Sequence, residues 1–356
     1  MALLGKDAIV AVEPTAWGTG VAVGAGDGLY VTSLDPVVLK GEIDFDNSSG
    51  LSGRTNYQKT QDNANMTVVM PMRWRGYMWT FLVHWIGTDV NTGANPYTHT
   101  MSLTQVPALA AADEAICMAW QLDNSQANTV AENPSLRPQS ISLEPDAGFW
   151  NMTANCIGYT IYAAGESLVT NTSTELGNVT YVTAAERMRF KANGLWKNAQ
   201  GGGAVSTSDA VTDLTNMVVT LDRPYDEMKD VLLNSSALDA TGALPIQNDD
   251  LTVTLSYDQK TYDYATHRSD LASGNEYKSE IVMTETVGGT ASTFSMEFPK
   301  MIPTDPQVAL ERGQRIPMTH NYDCVRAASA PTGHTNANEM HCVLVNGQNL
   351  GYDTNA

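Results

Sequence analysis

The chain has 356 residues, of which 42% are hydrophobic and 17% charged, so it is long and apolar enough to bury a substantial core. Its 39 acidic and 20 basic residues give a formal net charge of −19, which argues against binding nucleic acid through its phosphates or binding an anionic membrane. No run approaches the ~20 apolar residues that span a bilayer, and residues 1–10 lack the apolar stretch of a secretory signal. The four cysteines are too few for a disulfide scaffold in a chain of this length.

The first part of the chain contains an arm, a strand and a polar loop. Residues 1–35 are rich in glycine, which predicts an extended arm that cannot form a core alone and lies on a partner. Ile43 and Phe45 then alternate with acidic residues, as in a half-buried strand. Residues 47–62 are too polar for a core and too many for a hairpin turn, so they predict a long loop.

One segment has the character of a helix. Residues 77–86 read YMWTFLVHWI and are followed by Gly87, a residue that commonly ends helices. The segment is apolar on nearly all sides, which predicts burial against a sheet or a neighbouring chain. His84 within it is expected to be a core or interface histidine.

Strands dominate the remainder of the sequence. Apolar and polar residues alternate at 251–258, 294–298 and 316–324, which is typical of antiparallel strands with one wet face. Two segments rich in small and polar residues, 194–213 and 327–338, predict loops or linkers. The four cysteines are expected to be buried thiols.

The chain resembles itself in two places. The runs 65–70 and 250–255 are similar, and each is followed by a helix candidate ending near glycine. Further matches follow in the same order: strands beginning at Tyr97 and Tyr277, then 116–118 with 294–296, and then 152–155 with 318–321, while 37–39 upstream matches 218–221. Chance alternation between any two β domains could give such matches singly, but their preserved order favours a duplication.

The duplication hypothesis gives a domain organisation. It comprises an N-terminal arm at 1–35, a first repeat at 36–165, a linker and insertion at 166–215, a second repeat at 216–328 and a C-terminal extension at 329–356. Repeated units suit a ring, because each chain then supplies two equivalent parts.

Several segments resemble the tail tube proteins (major tail proteins) of long-tailed, siphovirus-like bacteriophages. They are EPTAWGT at 13–19, the helix ending in WIG at 85–87, PYTHT at 96–100, FSMEFPKMIP at 294–303 and the last strand at 318–325. The resemblance lies in pattern and order over about residues 8–328, and it includes no catalytic signature.

The resemblance implies a mainly β fold, with two tandem tail-tube β-sandwich or barrel domains that each carry a short helix and join a shared barrel in a ring. Stacked rings would form a hollow tube through which DNA leaves the virion without specific binding, and the protein would be assembled in the host cytoplasm. With two domains per chain, trimeric pseudo-hexameric rings are expected, and hexamers are the alternative. The implied partners are further copies of the chain, a tape measure protein and tail tip and terminator proteins.

Acidic strand residues are the candidates for the inside of such a tube, because a conduit must not bind the DNA that passes through it. The candidates are Glu42, Asp44 and Asp46, with Asp222 and Asp226 as counterparts in the second repeat. An ordinary solvated outer face is the alternative interpretation. The resemblance also places contacts between rings in the polar loop, where the candidates are Ser48, Ser49, Leu51, Arg54 and Tyr57.

Motifs for catalysis or cofactors were not found. The sequence lacks a phosphate-binding loop and an H-E-x-x-H zinc motif, and no spacing selects the paired carboxylates of a glycosidase. His334, His341 and Cys342 suggest a metal site only weakly. Neither an enzyme activity nor a cofactor is therefore expected. A carbohydrate-binding tail adhesin is the alternative function, with a platform drawn from Trp74, Trp79, Trp85 and Trp150, although core packing is the commoner use of tryptophan.

Overall fold

The structure is a computed structural model that describes residues 8–44, 57–123, 129–164, 170–181, 188–191, 194–225, 245, 247–260, 264–304, 307–308 and 318–348. It is mainly β, with 51% strand and 10% helix, which confirms the predicted fold class. No helix in these ranges is long and apolar enough to cross a membrane.

The first half of the chain is built from strands with one well-formed helix. Its elements are β1 (Ile9–Thr15), β2 (Ser33–Asp44), β3 (Tyr57–Pro71), α1 (Met78–Ile86), β4 (Val90–Gly93), β5 (Tyr97–Ser102), β6 (Ala115–Gln121), β7 (Val130–Asp146), β8 (Phe149–Gly158) and β9 (Tyr162–Ala163).

The second half has a similar composition of elements. They are α2 (Ser173–Gly177), β10 (Trp196–Ala199), a 3-10 turn (Thr207–Asp209), β11 (Leu214–Asp222), β12 (Thr252–Gln259), α3 (Tyr264–Ser273), β13 (Tyr277–Val287), β14 (Thr290–Pro303), β15 (Gln307–Val308), β16 (Met318–Cys324) and β17 (His341–Asn346). The linker predicted at 194–213 thus contains a strand, because β10 pairs with the edge of β13.

Eight antiparallel strands from both halves form one continuous run, which we call the long sheet. Its order is β2-β3-β8-β7-β11-β12-β16-β14, and β15 continues the last position alongside β16. The join between the halves is the pairing of β7 with β11, where Leu143 lies opposite Val219.

Two long strands pass from the long sheet into a second layer. The first part of β7 pairs with β6, which pairs with β1, and the first part of β14 pairs with β13 and β17. Strand β17 also pairs with β5 of the first half. The apolar faces of the two layers meet in one hydrophobic cluster to which both halves contribute.

Helix α1 lies inside this shared core. All nine of its residues are buried, as its apolar sequence predicts. It ends at Gly87, whose φ of 97° is left-handed and whose N–H donates to the oxygen of Val83 at 2.7 Å. The ring of Trp79 lies 5.0 Å from that of Phe294 on β14, so a helix of the first half packs directly on the second.

The N-terminal segment differs from the predicted arm. From Ile9 to Thr15 it is a strand that pairs along the whole of β6, and Ala11 and Val12 are fully buried. Its four consecutive apolar residues pack on both faces of the chain's own sheet, Val10 and Val12 in the main core and Ile9 and Ala11 in a second cluster. In the described part of the arm, residues 8–35, the contacts expected with a partner are therefore made within the same chain.

Candidate functional site

The long sheet consists of two four-stranded units with the same connectivity. In the first unit the chain runs through β2, β3, a helix, β7 and β8, and the order in the sheet is β2-β3-β8-β7. In the second unit the chain runs through β11, β12, a helix, β14 and β16, and the order is β11-β12-β16-β14. This common order supports the duplication hypothesis, although the predicted domain boundaries stay a prediction.

Two of the sequence matches fall on strands that do not correspond in this arrangement, and the match of 65–70 with 250–255 is displaced along its strand, because the residue of β12 equivalent to Thr67 is Ser256 and not Thr252. The strand at Tyr97 was matched with the one at Tyr277, yet β13 forms a hairpin with β14 as β6 does with β7. The match of 116–118 with 294–296 is displaced by one strand for the same reason. Strands β4 and β5 are an addition to the first half, and single-sequence alternation cannot distinguish an added strand from a repeated one.

One face of the long sheet packs on the core and the other face, which we call the uncovered face, is hydrophilic. On β3, Met66 and Val68 are buried while Asn65 is exposed, and on β12 Leu255 is fully buried. The same alternation runs through β8, β7, β11 and β16. The side chains of the uncovered face are mainly threonine, serine and asparagine: Thr67, Thr153, Asn155, Ser140, Ser142, Thr220, Thr254, Ser256, Thr319 and Asn321.

These hydroxyl and amide groups bond to one another across the strands. Thr67 Oγ1 donates to Asn155 Oδ1 at 2.9 Å, and Asn155 Nδ2 donates to Ser140 Oγ at 2.9 Å. In the second unit Ser256 Oγ donates to Asn321 Oδ1 at 2.8 Å. Asn155 and Asn321 therefore occupy equivalent positions, as the match of 152–155 with 318–321 predicts. Such cross-strand bonds hold the polar side chains close to the sheet.

Carboxylates lie on the uncovered face, and the guanidinium of Arg189 reaches its end, where Nη2 donates to Asn151 Oδ1 at 2.7 Å. Asp35, Glu144, Asp222, Asp258 and Asp323 all lie on this face according to their register with the polar residues above. Partial burial raises the pKa of the Asp222 carboxyl, while Asp258 Oδ1 accepts a 2.6 Å bond from Thr319 Oγ1. The positive charge of Lys300, at the edge of this face, is offset by an ion pair in which its Nζ lies 2.6 Å from Glu276 Oε1.

The structure describes three of the five predicted acidic candidates. Asp222 is on the uncovered face, half-buried and opposite Ser140. Glu42 and Asp44 are at the far end of β2, opposite Lys59 and Tyr57. Asp46 and Asp226 lie outside the described residues. Sequence reasoning missed Asp35, Glu144, Asp258 and Asp323, although alternation with buried neighbours in the same strands was the signal that could have found them.

The predicted inter-ring loop is shorter than expected. Tyr57 is not in a loop but is the first residue of β3, and residues 57–62 pair with β2. Strands pair through main-chain hydrogen bonds, so a strand without a regular apolar face can have the polar sequence of a loop. The other candidates, Ser48, Ser49, Leu51 and Arg54, lie outside the described residues.

The long sheet has a free edge at each end. Over the described residues, β2 pairs only with β3, and Ile302, Pro303, Gln307 and Val308 pair only with β16. Each edge carries an exposed large apolar side chain, with Val37 44% exposed on β2 and Ile302 37% exposed on β14. Unpaired backbone with apolar side chains is a template for a further strand.

Other candidate chemistries have a structural explanation. The four tryptophans considered for a sugar platform are all buried, at 1% exposure or less, so they cannot form an exposed surface. His341 Nδ1 contacts Glu297 Oε2 at 3.4 Å at the start of β17. Across the described ranges, no three His, Cys, Asp or Glu side chains are grouped so that they could hold a metal ion. The four cysteines are buried and free.

No protein-family model matches the sequence, and no curated protein matches it.

Proposed function

We propose that the chain is a structural subunit of the tail tube of a long-tailed, siphovirus-like bacteriophage. In this proposal copies join into rings, the rings stack into a hollow tube, and the genome passes through the tube into the host cell. The observation that carries the proposal is the long sheet, in which two equivalent four-stranded units are already joined edge to edge and a free edge remains at each end.

The dimensions of such a ring fit a DNA duplex. Three copies of an eight-stranded sheet give about 24 strands, and strands ~4.8 Å apart that tilt by ~40° give a backbone diameter of about 48 Å. Side chains of roughly 5 Å on each wall leave a pore of about 38 Å, which passes a duplex of roughly 20 Å. A ring of three chains is therefore sufficient, and six chains would double the diameter.

The chemistry of the uncovered face suits the lining of that pore. Its hydroxyl and amide groups are bonded to one another, and its charged groups include the carboxylates of Asp258 and Asp323, with the guanidinium of Arg189 at one end. DNA binds proteins mainly by exchanging counterions for lysine and arginine, so this surface would let the duplex slide. The partners in the proposal are other copies of the chain and the tape measure, tip and terminator proteins of a tail.

Electron microscopy of the purified full-length chain tests the proposal. We expect rings or striated tubes with a central opening, and a ring mass of three times 38.4 kDa in native mass spectrometry. Particles that stay monomeric at all concentrations, or that lack an opening, would overturn it.

A charge reversal tests which face lines the pore. Asp35→Lys with Asp323→Lys changes the uncovered face, while Asp249→Lys with Asp250→Lys makes the same charge change at exposed positions before β12. We expect rings of the first variant to retain duplex DNA more strongly than rings of the second. Equal retention would show that the uncovered face does not line the pore.

A further inference from the structure

The pairing of β7 with β11 within the chain gives the register of a second pairing, between copies. In that join Thr220 lies opposite Ser142 and Val219 lies opposite Leu143. Strand β11 is the first strand of the second unit, and β7 is the last strand of the first unit. The corresponding pair at the free ends of the long sheet is β2 with the end of β14 and β15.

The equivalence of the last strands follows from their common neighbours. Thr67 on β3 bonds to Asn155 on β8, and Ser256 on β12 bonds to Asn321 on β16, so Asn155 corresponds to Asn321. Two residues before each asparagine, Thr153 lies opposite Ser142, and Thr319 lies opposite Gln307. Gln307 of β15 therefore takes the place of Ser142 of β7.

The equivalence of the first strands follows in the same way. Asp35 lies opposite Thr67 on β3, and Val218 lies opposite Ser256 on β12. Two residues further along, Val37 of β2 takes the place of Thr220 of β11. Val37 and Thr220 each lie on the first strand of a unit, at the side away from the second strand. Strand β7 pairs with that side of β11, whereas that side of β2 is a free edge of the long sheet.

We propose that β2 of one copy pairs antiparallel with β15 and the end of β14 of the next copy, with Val37 opposite Gln307 and Pro36 opposite Val308. The partner is a second copy of the chain, and the inference rests on the proposed ring. The pairing covers the apolar side chains of Val37 and Ile302, which are 44% and 37% exposed in one chain. The contact is head to tail and not isologous, so it closes only as a ring. Proline at position 36 has no N–H, so the pairing of Pro36 with Val308 forms without the hydrogen bond that an N–H at this position would donate to the neighbour.

Cysteine pairs test the register. Opposite residues of neighbouring antiparallel strands have Cβ atoms ~4.5–5.5 Å apart, close enough for a disulfide after small adjustments, whereas diagonal neighbours are ~7–8 Å apart. Val37→Cys with Gln307→Cys should give disulfides between chains under mild oxidation, and non-reducing gels should show linear species up to a closed trimer. Asp35→Cys with Gln307→Cys, displaced by two residues, should cross-link much less.

Two controls accompany that experiment. Ser142→Cys with Thr220→Cys reports the same geometry within one chain and should give an internal disulfide without larger species. Val37→Cys alone should give no dimers, and dimers from it would overturn the head-to-tail arrangement in favour of pairing between two β2 strands.

The outcomes test the strand register and the proposed ring independently. Rings with a central opening that fail to cross-link through Val37→Cys and Gln307→Cys, while the internal pair forms, would overturn the register and leave the proposed function standing. Efficient cross-linking of the displaced pair would do the same. A chain that forms no rings in the absence of any substitution would overturn the proposed function itself.

Discussion

Arg223 Nε donates to the main-chain oxygen of Trp85 at 3.1 Å and so fastens the end of β11 to the last turn of α1. Its Nη1 donates to the oxygen of Gln105 at 2.6 Å, and its Nη2 donates to that of Thr104 at 2.7 Å. The side chain is fully buried, and its main-chain acceptors belong to the first half of the chain. One residue that directly follows β11 thus donates to three carbonyls of the first half of the chain.

Arg223→Met should strongly destabilise the protein. The substitution leaves the buried oxygen of Trp85 and the partly buried oxygens of Thr104 and Gln105 without these donors, which we expect to cost about 3 kcal/mol of unfolding free energy in urea. Arg223→Lys keeps a cation that cannot reach all three acceptors. This variant should therefore lose less unfolding free energy than Arg223→Met, but still more than ~1 kcal/mol. Arg326→Met, at an exposed position, is the matched control and should change stability by less than ~0.5 kcal/mol. Similar midpoints for Arg223→Met and the control would contradict this role.

Lys197 should hold β10 on the second unit through tyrosines. Its Nζ donates to Tyr257 Oη at 3.1 Å and to Tyr322 Oη at 2.9 Å, and it lies 4.4 Å from the ring centre of Tyr277. Lys197→Met keeps the aliphatic stem but removes the charge, so we expect a loss of about 1–2 kcal/mol in urea unfolding. Lys260→Met changes an exposed lysine and should have little effect. If both variants unfold at the same urea concentration, the cation does not stabilise this cluster.

Glu13 should make the protein less stable as the pH rises. Burial, followed by the negative charge of Asp27, raises the pKa of Glu13 from 4.5 to about 7. The folded chain therefore holds this proton more tightly than the unfolded chain, and the stabilisation is complete below pH ~4.5 and lost as the pH rises through ~7. Because the site is partly exposed, Glu13→Gln should stabilise the protein by no more than ~1–2 kcal/mol at pH 8 and by almost nothing at pH 4.5. Thermal unfolding at the two pH values measures this, and equal effects at both would disprove it.

His84 should have the opposite pH dependence. Burial lowers the pKa of His84 from 6.5 to about 4, although Nδ1 lies 2.7 Å from the oxygen of Thr80 and Nε2 lies 3.2 Å from that of Ala115. The stabilisation is present above pH ~6.5 and is lost as the pH falls towards ~4, by up to ~3 kcal/mol. His84→Gln should reduce this loss of unfolding free energy at acid pH, as measured by urea unfolding. In the Glu13→Gln background the acid loss should become steeper, because Glu13 no longer compensates; an unchanged slope would contradict the assignment.

The sequence was most informative where one strand or helix could be interpreted alone. The alternation at 251–258 and 318–324 predicted both the strands and their buried faces, and Gly87 marked the end of α1. The pairing of β7 with β11 could not be predicted, because it joins segments that are distant in the chain and depends on tertiary packing. The polar uncovered face was missed for a related reason: Asp258 and Asp323 become neighbours of one surface only after β12 and β16 pair.

The position of β17 has a consequence for synthesis of the protein. This strand lies between β5 and β14, and both of these are translated before it. The second layer therefore cannot close until residue 346 has left the ribosome. Nascent chains lack this link between their two halves until β17 has emerged.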